Sequence, residues 1–181
     1  MSEIISDPTN IERITDLIVE NLSQIFKKSS CAIRLYDAES KEFKNLISSR
    51  ALAMEDYFPP RPDGVSDYVV KKRKPLYIDD TSVEQRGVPN VRPERIKQGV
   101  RAAAYLPLIS AGELVGRLSI YLHSTYHFTK DDKLFLELAA NQSAAAIRNS
   151  NLFWAQEQIT LDQALALGDL GEVLTDVEQE V

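Results

Sequence analysis

The sequence predicts an α+β domain, on three observations. Amphipathic helical patterns stand near both ends of the first 153 residues. Two β-hairpin signals lie between them. A short helical pattern and a long loop punctuated by Gly and Pro connect the hairpins.

Each element has its own local reason. Asp7-Pro8 opens the first helix, with Asp7 as the cap and Pro8 at the first helical position. Ile11, Ile14, Leu17, Ile18, Leu22, Ile25 and Phe26 follow at spacings of three and four. That is an apolar stripe on a helix ending near Lys27-Lys28. Residues 31–36 read as a strand, 37–41 as a polar turn and 43–49 as a second strand. Phe58-Pro59-Pro60-Arg61-Pro62 then stops regular structure. Asp63-Gly64 leads into a short helix with Val65, Tyr68 and Val69 inward, and Lys71-Lys72-Arg73-Lys74 gives it a basic last turn. Residues 75–78 are a short extended piece ending at Asp79-Asp80. Residues 81–100 form a long connection holding one helical turn at 94–98, and loops of that length are usually functional or mobile.

The second hairpin turns at Ser110-Ala111-Gly112-Glu113. In its second strand Gly116, Leu118, Ile120 and Leu122 share one face, and Arg117, Ser119, Tyr121 and His123 share the other. The apolar face is expected to take the packed helices. The mixed face is expected to look into a pocket or solvent. Thr129 then sits where an N-cap belongs, and Asp132 can return a bond to it as a capping box. Leu134, Leu138, Ala145, Leu152 and Ile159 are expected to supply the apolar side of the last helix. Ala139, Ala140, Ala144, Ala145 and Ala146 allow close approach of a neighbour. Beyond Phe153, Leu167, Leu170, Leu174, Val177 and Val181 keep a heptad spacing. Gly168 and Gly171 weaken that segment by about 1 kcal/mol each relative to Ala.

The chain of 181 residues suits one domain, 1–153, with an acidic helical extension, 154–181. An acidic helix that stops in mid-heptad reads as a piece of a longer chain, with an output domain outside it. The hydrophobic share, 44%, permits an ordinary core. From residue 155 onward there are seven acids and no Lys or Arg, so the net charge of −6 belongs to the tail. This balance does not describe a nucleic-acid binder. No apolar run is long enough to cross a bilayer, and no signal peptide is present. Cys31 is the single cysteine, which excludes an internal disulfide and suits a reducing, cytoplasmic setting.

The order of elements, together with particular residues, resembles the GAF domain family. The matching pieces are Gly64-Val65 with Val69, residues 75–80, Tyr105-Leu106-Pro107-Leu108-Ile109, Leu114-Val115-Gly116-Arg117-Leu118 and Phe128-Thr129. Leu138-Ala139 through Ala146-Ile147-Arg148-Asn149 completes the set. The resemblance covers roughly residues 8–153. It implies α/β/α-type layers: a GAF/PAS-like antiparallel sheet with the first and last helices on one face. It implies a small-molecule pocket on the other face, roofed by short helices and loops. It also implies homodimers through the N-terminal and C-terminal helices, and a last helix that carries a signal to an output domain in a bacterial-type signalling protein.

Subfamily marks are missing. The bilin-binding type needs a pocket cysteine, often followed by His, whereas Cys31 lies in the first strand and precedes Ala32. The Asn-Lys…Phe…Asp-Glu signature of the cyclic-nucleotide type is absent. The free-methionine-sulfoxide reductase type uses several cysteines, and one alone cannot run that cycle. Neither His123 nor His127 has a neighbour at metal-ligand spacing, so no metal or cofactor is expected. Asp79-Asp80 reads as a strand-ending turn rather than a catalytic pair. No Gly-rich phosphate loop or nucleophile elbow occurs.

Residues 71–101 hold nine cations against four acids. By the family template they surround the pocket roof, where an anionic ligand such as a nucleotide or carboxylate would be favoured. The competing reading is a solvated face. Arg34, Arg101, Tyr105, Arg117, Tyr121 and His123 are the candidate ligand-binding residues of the sheet, with Tyr57, Tyr68 and Tyr77 as candidate walls. The leading expectation is a non-catalytic sensory module. A dimerisation spacer with a filled-in face is the alternative, and an enzyme is the third reading, without a catalytic constellation to support it.

Overall fold

The computed structural model describes residues 8–26, 29–48, 61–84 and 86–179. The elements are α1 (Pro8–Ile25), β1 (Ser29–Asp37), β2 (Glu42–Ser48), α2 (Val65–Lys72) and β3 (Leu76–Ile78). They continue with α3 (Pro93–Lys97), β4 (Ala102–Ser110), β5 (Glu113–Leu122) and α4 (Lys130–Gln179). Five strands form one sheet in the order β2-β1-β5-β4-β3, every pairing antiparallel. The Asp7 cap, Lys27-Lys28 and Tyr57 lie outside the described residues.

The β4–β5 turn has Ala111 at φ 48° and Gly112 at φ 81°. Two positive-φ central residues are the mark of a type I′ hairpin, whose twist matches that of the strands. Gly116 has a different reason to be glycine. A Cβ there would stand 2.6 Å from the Arg34 carbonyl oxygen, so only glycine lets β1 and β5 approach this closely.

Strand alternation divides the side chains into two cores. On one face Ile33, Leu106, Leu108, Leu118 and Ile120 are fully buried beneath α1 and α4. On the other, Ala32, Ala103, Tyr105 and Tyr121 pack with Val65 and Val69 of α2 and with Val91 and Val100 of the long connection. The apolar face of β5 therefore takes the two long helices, as its pattern predicts. The alanines of β4 leave room for neighbours on both sides.

The capping box at the start of α4 forms as expected. The Asp132 backbone N–H donates to Thr129 Oγ1 at 3.2 Å, and the Thr129 N–H donates to Asp132 Oδ2 at 2.9 Å. The apolar side of α4 requires a correction. Leu134, Leu138, Leu152 and Ile159 are 70%, 55%, 55% and 58% exposed, and Ala145 is exposed with them. Leu136, Ala140, Ala144 and Ile147 face the sheet instead. The helix carries two apolar stripes, and the one bearing Ala140 and Ala144 makes the close contact with the sheet. α4 continues unbroken through Gly168 and Gly171. The side chains of the Leu167–Val177 seam, and Val181 itself, lie outside the described residues.

Candidate functional site

The polar side chains of the second sheet face converge at its centre. Arg34 on β1 and Arg117 on β5 are direct cross-strand partners, which puts two guanidinium-bearing chains side by side. Both are buried, at 7% and 6% exposure. Arg117 Nε donates to Ser119 Oγ at 3.1 Å, and its Nη1 donates to Ser66 Oγ, in the first turn of α2, at 2.6 Å. The guanidinium carbon lies 5.4 Å from the Phe43 ring centre and 5.4 Å from that of Tyr105, within cation–π range.

A second cation closes the far end of this face. Arg95 of α3 is 7% exposed and lies 5.3 Å over the Tyr121 ring. Tyr105 and Tyr121 pack edge to face at 5.8 Å. Burial pushes the Tyr105 hydroxyl well above the usual phenol range; Tyr121 adds to the rise, and Arg117 and Arg95 oppose it. Tyr105 therefore stays protonated at neutral pH and remains a hydrogen-bond donor.

Of the residues chosen from the sequence, Arg34, Tyr105, Arg117 and Tyr121 are brought together. Tyr68 is half-buried on α2 and lines a separate cleft of about 380 Å³ with Asp67, Lys71 and Val88. Arg101 is exposed and sits by Asp80, whose carboxyl is held below the usual range mainly by Ser82. His123 is exposed at the end of β5. Tyr77 requires a correction: it projects to the helix face. Its hydroxyl donates to Glu137 Oε1 at 3.2 Å, and its ring packs against Phe128. Leu76 and Ile78 occupy the other face, so alternation sends Tyr77 to α4.

The cationic run divides likewise. Lys71, Lys72, Arg73, Lys74, Arg86, Lys97 and Arg101 are exposed, Arg92 is half-buried, and Arg95 turns inward. Lys71 pairs with Asp67 at 2.7 Å, and Arg73 donates to the Gly112 carbonyl at 2.7 Å. Most of the run is thus a solvated face. Ser66 is a residue sequence reasoning passed over, and Arg95 was counted only within the cationic run, not among the candidate binding residues. Arg95 follows Pro93 in a five-residue helix, too short for a period to reveal which way it faces.

Cys31 is wholly buried on the helix face, and burial pushes its thiol up, away from the reactive thiolate. Asp79 receives His127 Nδ1 at 2.7 Å and the Phe128 N–H at 3.4 Å, tying the end of β3 to the entrance of α4. Among the described residues no three His, Cys, Asp or Glu gather to hold a metal ion, and no helix is long and apolar enough to cross a membrane.

The chain thus forms an antiparallel sheet with long helices on one face and a buried polar cluster on the other. The family model of the GAF domain matches residues 8–148, and the chain belongs to that family of signalling sensor domains. Among solved structures, a GAF domain of a phosphoenolpyruvate-protein phosphotransferase from Coxiella burnetii is 22% identical. The match covers 84% of this chain and 90% of that one, with a TM-score of 0.68. A domain of a putative two-component sensor histidine kinase from Sinorhizobium meliloti is 16% identical, covering 82% and 97%, with a TM-score of 0.65. A type II free methionine-R-sulfoxide reductase from Thermoplasma acidophilum is 15% identical, covering 77% and 93%, with a TM-score of 0.62. At these identities the likeness is one of fold. No curated protein sequence matches the chain.

Proposed function

We propose that this chain is a non-catalytic, small-molecule-sensing module that acts as a homodimer and passes its ligand state to an output domain through α4. The observation that carries the reading is the division of the sheet. One face is sealed by α1 and α4, and the other holds buried Arg34, Arg117 and Ser119. A purely structural sheet gains nothing from burying those groups, because buried charge costs stability unless it is compensated. The same two helices that seal the first face present apolar side chains outward. A groove of about 410 Å³ between them is lined by Leu17, Leu22, Phe135, Leu138 and Ala139. Leu138, Ala145, Leu152 and Ile159, seven residues apart, continue that surface along α4. A second copy seated there would couple its own α4 to this one. Two similar structures are described as part of a sensor histidine kinase and as a chemotaxis protein, which fits a module feeding an output domain. The reductase-like structure gives no support for catalysis here, since Cys31 is the single thiol and lies on the helix face.

One observation favours a spacer role. Arg95 covers Tyr121 and fills the space above it. Hydrogen exchange decides between the two. Protein as isolated is compared with protein unfolded, dialysed free of small molecules and refolded. Sensing predicts altered protection at β1 and β5 together with α1 and α4. A spacer predicts identical exchange in both preparations.

A further inference from the structure

An amide stands at every seventh residue along the middle of α4: Gln142, Asn149, Gln156 and Gln163. All four are exposed, and Phe135 begins the same column one heptad earlier. Three residues beyond Phe135, Gln142, Asn149 and Gln156 stand Leu138, Ala145, Leu152 and Ile159, also exposed. These two columns are the a and d positions of one heptad seam. The packing of the helix turns this seam outward. Leu136, Ala140, Ala144 and Ile147 are buried on the opposite side, against the sheet. Arg148, beside Asn149, is half-buried and donates to the Ser110 carbonyl at 3.0 Å. Leu138 and Gln142 also line the groove between α1 and α4, so the seam continues that surface.

The apolar column supplies attraction to any apolar partner. The amides are selective. A side-chain amide carries two N–H donors and a carbonyl acceptor, so it complements a second amide. Buried against an apolar side chain, the same groups go unpaired and destabilise the contact. A second α4 that runs parallel and in register sets every amide against its own counterpart, and every apolar residue against its own. A second α4 that runs antiparallel sets the amides against Leu138, Ala145, Leu152 and Ile159 instead. A polar residue at a core position of a coiled coil fixes register and partner number at a cost in stability.

We propose that α4 pairs with α4 of a second copy in parallel and in register, through matched layers of Gln142, Asn149, Gln156 and Gln163. The inference rests on the homodimer reading and deepens it: the apolar column holds the copies together, and the amides choose their orientation. Parallel pairing sends both chains out of the dimer at the same end. Amide layers also hold the seam less tightly than apolar ones would, which leaves it open to a shift imposed by the domains.

The test is disulfide cross-linking of the full chain, read on non-reducing gels beside sedimentation velocity. Asn149→Cys and Gln163→Cys lie about 21 Å apart along the helix. Cys31 is wholly buried, and the wild type is its control. Under mild oxidation with diamide, both variants form covalent dimers. Asn151→Cys, exposed on the same helix but off the seam, links at least tenfold more slowly. Antiparallel helices bring a residue against its own copy only where they cross, so at most one of the two positions would link. Gln142→Cys replaces either variant that does not dimerise when reduced. Asn149→Asp keeps the shape of the side chain, loses its donors and opposes two like charges; it weakens the dimer at least tenfold. Circular dichroism melts confirm folding of each variant. The proposal is overturned if the dimer links at one seam position or at neither, if Asn151→Cys links as fast, or if Asn149→Asp keeps wild-type affinity. A wild type that sediments only as a monomer sinks the homodimer reading itself, and the orientation with it.

Discussion

The outward stripe of α4 predicts how the protein associates. Leu138, Leu152 and Ile159 are each between 55% and 58% exposed in the single chain. Fully burying such a side chain is worth about 1.5–3 kcal/mol, so covering the remaining half yields about 1 kcal/mol each. In a symmetric dimer every position counts twice. The double substitution Leu138→Glu, Leu152→Glu therefore removes four of these contributions, about 4 kcal/mol, and sets like charges against each other. At 1.4 kcal/mol per tenfold, dimer affinity falls by about three orders of magnitude. Sedimentation velocity over a dilution series reads this directly. The melting temperature of the isolated chain should hardly move, because the replaced side chains are half in solvent. Leu136→Ala is the internal contrast. That side chain is fully buried against the sheet, and its loss should cost about 2–5 kcal/mol of folding stability. Unchanged association of the double variant would refute the stripe as the interface. A large drop in its stability would show that these leucines belong to the core.

Three further outcomes follow from single contacts. Thr129→Ala removes the cap of α4 and should cost about 0.5–2 kcal/mol in urea denaturation at neutral pH. Burial works to raise the Asp132 carboxyl, but bonds from Thr129 and Tyr126 outweigh it and hold the group below its usual range. Stability from a depressed carboxyl is complete above the unfolded value near 4 and is lost as pH falls through the folded one. The gap between Thr129→Ala and wild type should therefore narrow below about pH 4. Tyr77→Phe deletes the hydroxyl bonded to Glu137 and should lower stability by about 0.5–1.5 kcal/mol, read by urea denaturation. Gly116→Ala forces a Cβ onto the Arg34 carbonyl and should cost about 1–3 kcal/mol, read by thermal unfolding.

Alternation along β5 was legible from Gly116 to Leu122, though not at His123, which lies exposed just past the strand. Leu118 and Ile120 against Arg117, Ser119 and Tyr121 gave both faces, because a ten-residue strand samples its period of two repeatedly. The hairpin turn at Ser110-Ala111-Gly112-Glu113 and the capping box were legible for a similar reason: both are local, and their chemistry lies within four residues. What failed was the assignment of direction where two apolar sides compete. α4 has a leucine stripe and an alanine-bearing stripe, and spacing alone cannot say which meets the sheet. Tyr77 was misplaced because β3 has three residues and its phase is fixed by pairing with Ala104, a long-range fact. The charge run from Lys71 suggested an anion near the roof. Of that run Arg95, on α3, turns inward; the buried Arg34 and Arg117 come from β1 and β5, elements far apart in sequence and joined only by the fold.

Native mass spectrometry of the freshly isolated protein tests the central claim most directly. The account predicts a dimer carrying a discrete additional mass in the range of a small metabolite, released on denaturation. A bare monomer, at concentrations where paired α4 helices should associate, would contradict it.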